Sequence, residues 1–517
     1  MNMASESKGD IKSFYTNKNV FVTGATGYLG KVLIEKLLRE CKDMGKMFIM
    51  MRANGQSDAI TKFGKFKSSA IFDIIKKENP SAMDKIVLIV GDMSAKNLKL
   101  SEEDVTLLKN DVHVLFHCAA SIRFNETLKF AVTLNAKGTQ QLVELSKKMK
   151  NLAAFVHVST AFSNTNVKTV QEIVYEPVMD YKTIIEASEY EGRDLWQSIE
   201  KAVKRQFPNT YVFSKNLAEK IVYDARDCIP VTIVRPSLVT PSFKEPYPGW
   251  VDSLNGPISI CVAAGTGILR TVYGCGTVIP DMVPVDFAVN SFIVAAAFVG
   301  RNKCNDCPVF NCTTSSEAPI TWNDFLEVGK KAYTEFPSEK ILWYPGGRME
   351  QNTLLYLFRF IFLQFIPALF IDFLCIITGK KPWLTKIQKK IFTSLNIISY
   401  FLKRQWYWEN KNYKSLYENL SASDKFTFDF DATKIDYLDY VKDWLSGSRR
   451  FILKLDESSL PAAREKLKIM YWIDSVVSFV FYAGIVYLIG FALKKFSVMG
   501  GVAHVECNTC TKFELHN

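Results

Sequence analysis

A tyrosine and a lysine stand four residues apart in this chain, at Tyr211 and Lys215. On a helix this spacing puts both side chains on one face, one turn apart. A phenol with a free pKa of about 10 is a poor proton donor at neutral pH, and a nearby ammonium lowers that pKa by stabilising the phenolate. Tyr211 could then give a proton to an oxyanion as a hydride arrives, and Lys215 could also bond a nicotinamide ribose. The pair therefore indicates a hydride-transfer site.

A hydroxyl group that would orient the reacting oxygen stands upstream of this pair, at the end of an apolar run. Either Ser159 or Thr160 could supply that hydroxyl, because both follow the run directly. We expect Thr160 and keep Ser159 as the alternative. Tyr-x-x-x-Lys is common by chance, so the motif alone is weak evidence for a catalytic pair. Its position behind this strand end and downstream of a glycine-rich loop makes the evidence strong.

The glycine-rich loop follows the first apolar run, Val20–Thr23, and opens an amphipathic stretch. Its first glycine permits a tight turn, its second lets the backbone approach a pyrophosphate, and its third lets helix and strand pack closely. The start of the helix would present free backbone amides to the phosphates. The residues expected to bind a dinucleotide here are Gly24, Ala25, Thr26, Gly27, Tyr28, Leu29 and Gly30.

The end of the second apolar run, Met47–Met51, decides which dinucleotide fits. An NAD site places a carboxylate there for the ribose 2′-hydroxyl, whereas here Arg52 follows and no acid occurs before Asp58. An arginine suits a 2′-phosphate by charge and geometry, so the sequence predicts NADPH. Later strand ends should line the same crevice, with Asp92 accepting from the adenine amine. The other expected cofactor contacts are Ala119, Ala120, Lys215, Pro236 and Ser237.

These residues need a frame that brings successive strand ends together. Apolar runs of strand length alternate with helical stretches such as Lys31–Lys42 and Asn135–Met149, a pattern typical of a buried parallel sheet with helices on both faces. The fold class is therefore α/β, with a doubly wound, parallel Rossmann-type sheet. The six expected strands are Val20–Thr23, Met47–Met51, Ile86–Val90, Val112–Cys118, Ala154–Ser159 and Val231–Val234.

The rest of the chain suggests further parts around this sheet. We expect residues 1–15 to form a polar segment and residues 16–343 to form the NADPH-binding domain, with a smaller substrate lobe rich in Pro and Gly at about 241–323. Residues 344–460 form a mainly α-helical C-terminal domain, and a tail covers residues 494–517.

Two apolar segments in the C-terminal part indicate contact with membrane lipid. Ser475–Leu493 has no charge and is long enough to cross the hydrocarbon core, so we expect a transmembrane helix there. Leu354–Thr378 is as apolar but contains Arg359, Gln364, Pro367 and Asp372. Charges at bilayer depth are costly and proline kinks a helix, so an interfacial or acyl-binding element is favoured there over a second span.

Composition narrows the classes further. The net charge of +11 is spread over many clusters, and no motif indicates nucleic-acid binding, so this balance suits an anionic membrane or a phosphate-bearing ligand. The polar N-terminus lacks a secretory signal, so we expect a cytosol-facing catalytic domain with reduced cysteines. Two Cys-x-x-Cys pairs, Cys304/Cys307 and Cys507/Cys510, lie on opposite sides of the expected membrane helix. No metal site is expected.

Several stretches together resemble the extended short-chain dehydrogenase/reductases, and more narrowly the eukaryotic fatty acyl-CoA reductases. Besides the glycine loop and Tyr211–Glu219, these are VLFHCAASIRF at 114–124, HVSTAF at 157–162, EPYPGWVDSLNGP at 245–257 and VPVDFA at 283–288. The C-terminal part resembles that family's second domain at Gly379–Pro382 and Phe428–Lys454. The resemblance implies reduction of a long-chain acyl-CoA to a primary alcohol by two hydride transfers from NADPH, through an aldehyde, with release of CoA.

Two other classes stay open at this point. A membrane-bound extended dehydrogenase acting on a sterol would share the nucleotide loop and the Tyr/Lys pair, and only EPYPGW and the second domain speak against it. A non-catalytic membrane scaffold could retain a nucleotide fold, although intact Tyr211 and Lys215 argue against that. The C-terminal Leu515-His516-Asn517 does not separate endoplasmic reticulum from peroxisome.

Overall fold

The structure, a computed structural model, describes residues 10–253, 257–302 and 306–506. Its centre is a seven-stranded sheet in which every neighbouring pair is parallel. Numbering strands along the chain, the sheet order is β11-β7-β5-β4-β1-β2-β3. The central strands are β1 Val20–Thr23, β2 Met47–Met51, β3 Ile86–Val90, β4 Val114–His117, β5 Ala154–Val158, β7 Val231–Pro236 and β11 Val309–Cys312.

This order makes the sheet doubly wound, because strands are added on both sides of β1. The fold class predicted from the apolar runs is confirmed. Six short strands form three two-stranded pairs outside the central sheet. They are β6 Thr169–Val170, β8 Leu238–Thr240, β9 Thr271–Tyr273, β10 Met282–Pro284, β12 Arg348–Glu350 and β13 Tyr407–Trp408.

Twenty α-helices surround these strands within the described residues. They are α1 Ile11–Tyr15, α2 Tyr28–Glu40, α3 Gln56–Lys67, α4 Asp73–Glu78, α5 Glu102–Asp111, α6 Leu128–Ala131, α7 Gly138–Ser146, α8 Tyr181–Ala187, α9 Arg193–Val203, α10 Thr210–Tyr223, α11 Pro257–Gly265, α12 Val285–Asn302, α13 Trp322–Glu335, α14 Thr353–Phe360, α15 Ile366–Ile377, α16 Leu384–Leu402, α17 Lys411–Glu418, α18 Ala422–Thr427, α19 Tyr437–Gly447 and α20 Leu460–Glu506.

The sheet is buried on both faces, and successive residues of β1 show why its strands are mostly apolar. Val20 and Val22 pack into one core, against α2 and α12, whereas Phe21 packs into the other, against α7 and α10. A strand buried on both sides has no solvent-facing register, so β1 is apolar up to its terminal Thr23. Burying a side chain such as Phe21 contributes about 1.5–3 kcal/mol to folding.

The structure moves three of the expected part boundaries. The polar segment 1–15 ends in helix α1, whose Tyr15 is buried and donates its hydroxyl to the Ile293 carbonyl at 2.8 Å. The expected substrate lobe at 241–323 contains helix α12 and strand β11, both of which belong to the central fold. Helix α17, from the expected C-terminal domain, packs on α12 and β11. The central fold therefore begins before residue 16 and is completed after residue 344.

Candidate active site

The glycine loop lies where the sequence places it, between β1 and α2. Gly24 has a φ of +73°, and a Cβ there would lie 2.6 Å from the Ala119 amide nitrogen. A Cβ at Gly30 would lie 2.3 Å from the Gly24 carbonyl oxygen. Gly27, as the N-cap of α2, carries no side chain that could occupy the helix start. The loop therefore keeps its backbone open at the N-terminus of α2, as a dinucleotide phosphate requires.

Tyr28 is expected in the cofactor site, but its ring has partners elsewhere. The ring stacks on Trp250 of the EPYPGW segment, and its hydroxyl donates to the carbonyls of Trp250 at 3.0 Å and Thr240 at 3.2 Å. One turn on, Lys31 pairs with Asp252 at 2.5 Å. Tyr28 can therefore offer a cofactor its backbone amide, while its side chain holds the first turn of α2 against the segment around residue 250.

The neighbouring strand ends complete a crevice beside the loop. The register Val22↔Ile49 puts the glycine loop level with the end of β2, where Arg52 is exposed. Asp92, after β3, is half-buried, and its Oδ1 accepts from the Ser94 amide at 2.9 Å and hydroxyl at 2.7 Å. Ala119 and Ala120, after β4, are half-buried. The four residues thus lie around one edge of the sheet, at the carboxyl ends of its strands.

Tyr211 and Lys215 lie on α10, which begins where Asn209 accepts from the Val212 amide at 2.9 Å. Lys215 is only 2% exposed and donates to the Val158 carbonyl at 2.7 Å, so it is fixed to the end of β5. The hydroxyl of Thr160, which follows β5, lies close enough to the Tyr211 phenol to oppose the rise of its pKa by hydrogen bonding. The Tyr211 ring stacks on Phe124 at a centroid distance of 5.8 Å. Tyrosine, lysine and threonine thus meet at one strand end.

The pKa values of the pair differ from the sequence expectation of a lowered tyrosine pKa. Burial raises the pKa of Tyr211 to about 12, and the hydrogen bond from Thr160 only partly opposes this effect. Burial also lowers the pKa of Lys215 to about 8. The expectation is wrong for this structure because desolvation outweighs any stabilisation of the phenolate by Lys215. Tyr211 is consequently protonated at neutral pH, which is the form that a proton donor needs.

Ser159, the alternative to Thr160, belongs to a buried ion-pair network. Its hydroxyl donates to Glu219 Oε1 at 2.5 Å, and Ser163 donates to the same oxygen at 2.8 Å. Arg235 binds both Glu219 oxygens, at 2.9 Å and 2.8 Å, and both side chains are at most 1% exposed. Neither the pairing of Glu219 with Arg235 nor its burial has a local sequence signal. Ser159 therefore supports the strand end, whereas Thr160 contacts Tyr211.

At the end of β7, the contacts with the neighbouring strand ends are made by the backbone and not by side chains. Arg235, which directly precedes Pro236 and Ser237, points its guanidinium into the Glu219 network. Pro236 accepts from the Ala161 amide at 2.9 Å, and Ser237 donates its amide to the Cys312 carbonyl at 3.1 Å. Pro236 and Ser237 therefore lie beside the strand end that carries Thr160.

Asn135 is a site residue that sequence reasoning missed. It lies in the π-helical turn Val132–Lys137, is buried, and its amide donates to Ser214 Oγ at 2.9 Å and to the Ser121 carbonyl at 3.2 Å. Its Oδ1 accepts from the Ser121 amide at 2.9 Å. Asn135 thus joins the loop after β4 to α10 between Tyr211 and Lys215. The available signal was an asparagine inside an otherwise apolar helical run.

In the described ranges no group of three or more His, Cys, Asp and Glu side chains could hold a metal ion. Of the two Cys-x-x-Cys pairs, Cys304, Cys507 and Cys510 lie outside the described residues.

Both apolar C-terminal segments form helices in the structure. Thr353–Ile377 and Glu457–Lys494 are long and apolar enough, by length and composition, to cross a membrane. The second contains the expected span Ser475–Leu493, and none of its most apolar window is buried in the protein. In the first, a π-helical turn at Ile361–Phe365 ends just before Pro367, so the helix continues through the proline. Membrane association therefore has a structural basis.

Comparison with known proteins identifies relatives over nearly the whole chain. Family models described as male sterility protein match residues 22–292 and 363–455. Fatty acyl-CoA reductase 1 of Rattus norvegicus is 36% identical over 457 residues, which is 88% of this chain and 89% of that protein. Fatty acyl-CoA reductase wat of Drosophila melanogaster is 33% identical over 489 residues, 94% of each chain.

Solved structures show the same fold at lower sequence identity. The reductase domain of a nonribosomal peptide synthetase from Mycobacterium tuberculosis has a TM-score of 0.59 at 17% identity, covering 87% of this chain and 93% of that chain. The terminal R domain of the myxalamid pathway has a TM-score of 0.57 at 16% identity, covering 85% and 93%. The open glycine loop and its crevice fit a nicotinamide dinucleotide, as the nucleotide-binding family match requires.

Proposed function

The chain belongs to the fatty acyl-CoA reductases, which makes it an alcohol-forming oxidoreductase, and from this premise we propose that it reduces a long-chain fatty acyl-CoA with NADPH. The reaction consumes two NADPH, passes through an aldehyde and releases CoA. The observation that carries the proposal is the meeting of Tyr211, Lys215 and Thr160 beside an open glycine loop.

NADPH, when bound, supplies the hydride. Gly24 to Gly30 would hold its pyrophosphate, because the start of α2 is free of capping side chains. Arg52 would bind the 2′-phosphate at the end of β2, since an exposed guanidinium suits that group. Asp92, Ala119 and Ala120 would line the adenine and ribose side of the crevice. Lys215, Pro236 and Ser237 would lie toward the nicotinamide.

Tyr211 acts as the proton donor in this proposal. Burial holds its pKa at about 12, so the phenol keeps its proton at neutral pH until an oxyanion forms beside it. Thr160 donates a second hydrogen bond to that oxygen, and charged Lys215 stabilises the tyrosinate that remains. Reduction of the thioester carbonyl gives a hemithioacetal, which loses CoA as a thiol to leave an aldehyde. A second reduction at the same three residues gives the alcohol.

The anchor in this proposal is α20, with Ser475–Leu493 in the membrane and the catalytic domain on the cytosolic side of the endoplasmic reticulum or peroxisome. The eight cysteines within the described residues are all free thiols, as in proteins of a reducing compartment. The head of α20 is tied to the reductase, since Asp474 pairs with Arg270 at 2.8 Å. The active site is thereby held close to the membrane surface, where long-chain acyl groups are available.

The test is a stoichiometry assay on the purified full-length protein with palmitoyl-CoA. We expect two NADPH oxidised per CoA released, fatty alcohol as product, and little oxime when hydroxylamine is added to trap aldehyde. The matched control is Tyr211→Phe, which should bind NADPH and lose about 10²–10⁴-fold in turnover. One NADPH per CoA with oxime as the product would mean that reduction stops at the aldehyde. A sterol substrate in place of palmitoyl-CoA should give no oxidation of NADPH.

A further inference from the structure

The helical segment Thr353–Ile377 turns every one of its strongly polar side chains toward the protein. Arg359 pairs with Glu350 at 2.9 Å. Gln364 is buried and accepts from the backbone amides of Arg270 and Thr271, at 2.5 Å and 2.8 Å. Asp372 is buried and accepts from the first backbone amides of α16, including Leu384 at 2.9 Å. The helix is therefore fixed to the reductase through Gln364 and to its own flanking elements, β12 and α16, through Arg359 and Asp372.

The opposite side of the same helix is an unbroken apolar stripe. Six of its side chains recur at helical spacing and are 40–65% exposed. They are Phe362, Ile366, Leu369, Phe370, Phe373 and Ile377. A helix of 25 residues is about 37 Å long. The stripe is therefore a contiguous apolar patch and not a set of single exposed apolar residues, which are common on protein surfaces.

A rim of positive charge borders this stripe. Lys380 and Lys381 follow the end of α15, and Lys386, Lys389 and Lys390 lie on the exposed side of α16. None of the five forms an ion pair with any residue that the structure describes. Trp383 is exposed between the two helices. An apolar face, an aromatic residue and a lysine rim are the features of a helix that lies in a membrane interface.

The stripe also adjoins the proposed anchor. Phe362 lies against Phe481 of α20, with ring centroids 6.4 Å apart. A cavity of about 160 Å³ lies between the two helices, lined by Pro367 and Ile371 on one side and Val477 and Phe481 on the other. The proposed anchor would enter the bilayer just after Asp474, and the exposed face beside it would then meet the same lipid layer.

We propose that Thr353–Ile377 lies flat in the cytosolic leaflet as a second membrane contact, and that the lysines of α15 and α16 bind anionic lipid headgroups. The segment does not cross the membrane, because crossing would break the contacts of Gln364 with the Arg270 and Thr271 amides of the reductase. The reductase is thus held against the bilayer at two points, which fixes its orientation as well as its distance. This proposal rests on the proposed anchor in α20 and does not depend on the reaction catalysed.

The test measures depth in the bilayer with the full-length protein. A fluorescent amino acid is incorporated in place of Phe370, and the protein is reconstituted in phosphatidylcholine vesicles with and without phosphatidylserine. Lipids brominated near the headgroup should quench position 370 at least about twofold more than lipids brominated at the chain end. The same probe in place of Tyr487, within α20, should show the reverse order. In place of Ile60 on α3 it should be quenched by aqueous iodide only.

The charge requirement is tested with matched triple variants. Lys386→Glu, Lys389→Glu and Lys390→Glu together should reduce shallow quenching at position 370 in phosphatidylserine vesicles to the level found without phosphatidylserine. The control triple Lys147→Glu, Lys148→Glu and Lys150→Glu changes the net charge equally on the reductase and should have no effect. Unfolding midpoints of both triples establish that they are folded.

Each other result overturns the proposal. If iodide quenches the probe at position 370 as strongly as the probe at position 60, the apolar stripe lies in water. If lipids brominated at the chain end quench position 370 most strongly, Thr353–Ile377 crosses the membrane. Protection from both quenchers would show a face covered by protein, and equal responses of the two triples would remove the headgroup interaction.

Discussion

Tyr28 stacks on Trp250 with ring centroids 5.3 Å apart and planes only 11° from parallel. The pair joins the first turn of the cofactor helix to the EPYPGW segment, and the two hydrogen bonds of the Tyr28 hydroxyl fix the ring in that position. Sequence resemblance marked this segment as specific to the family, and the contact gives that specificity a physical role. Movement of the segment would tilt the start of α2.

Trp250→Ala should therefore affect both stability and cofactor affinity. Loss of an indole that is 1% exposed costs about 3–5 kcal/mol of unfolding free energy, measured by denaturant titration. NADPH affinity should fall as well, because α2 loses its support. The matched control is Trp322→Ala, a buried tryptophan of α13 in a separate core cluster, which should also lower stability and leave NADPH affinity unchanged. Equal affinities of the two variants would contradict the linkage.

Thr160 and Ser159 should separate catalysis from stability. Thr160→Val removes the hydroxyl that bonds Tyr211 and should lower turnover about 10-fold or more, with little change in stability. Ser159→Ala leaves Glu219 without one of its donors, costs about 1–3 kcal/mol of unfolding free energy, and should change turnover much less. Turnover with palmitoyl-CoA and urea unfolding of each variant are the measurements. The reverse pattern would assign the reacting oxygen to Ser159.

Turnover in the direction of reduction should fall as pH rises through about 8. The reason is that buried Lys215, with its pKa lowered to about 8, loses the charge that stabilises the tyrosinate. The unfolded chain keeps this lysine protonated to a pKa near 10.4, so between these values it binds more protons than the folded chain. Stability from this residue therefore rises with pH, and unfolding cannot explain the loss. A pH–rate profile with circular dichroism at each pH is the measurement; a flat profile to pH 9 would refute it.

Arg52 should set the preference between the two dinucleotides. NADPH should be strongly preferred by the unmodified protein, and Arg52→Ala should raise the KM for NADPH about 10-fold while leaving that for NADH nearly unchanged. Arg123→Ala, another exposed arginine on a loop, serves as the control. Equal use of NADH and NADPH by the unmodified protein would show that Arg52 does not select the cofactor.

A chain that ends after Asp474 should be released from membranes by alkaline carbonate, whereas the full-length chain should stay. The stop is placed there because Arg464, Lys466 and Asp474 all contact the reductase, so an earlier end would damage the fold. Membrane fractionation with an antibody against the N-terminus is the measurement. Retention of the shortened chain after carbonate would mean that a segment before residue 474 crosses the bilayer.

The sequence predicts the elements whose signal is local. The bounds of β1, β2 and β3 agree residue for residue with the apolar runs, because a strand buried on both faces is apolar throughout. Strand β11 was missed because Val309–Cys312 is short and carries a polar Asn311. Asn311 is buried, and its amide donates to the Glu409 carbonyl at 2.7 Å, a partner supplied from far along the chain.

The candidate site divides in the same way. The glycine loop and the Tyr211–Lys215 spacing follow from local backbone geometry, so sequence alone locates them. The choice between Ser159 and Thr160 depends on Glu219 and Arg235, which come together only in the folded chain. The pKa of Tyr211 depends on burial, which no spacing reveals.

The contact between the first helix and the C-terminal region has a consequence for synthesis. The Ile11 amide donates to Asp424 at 3.1 Å, and Phe428 and Phe430 lie in the core that contains α1 and β1. The nascent chain therefore cannot close its central core until about residue 430 has been made. The proposed span at Ser475–Leu493 follows after roughly 45 residues, or about 2–9 s of translation. The ribosome therefore synthesises this apolar helix shortly after the last side chains of the central core.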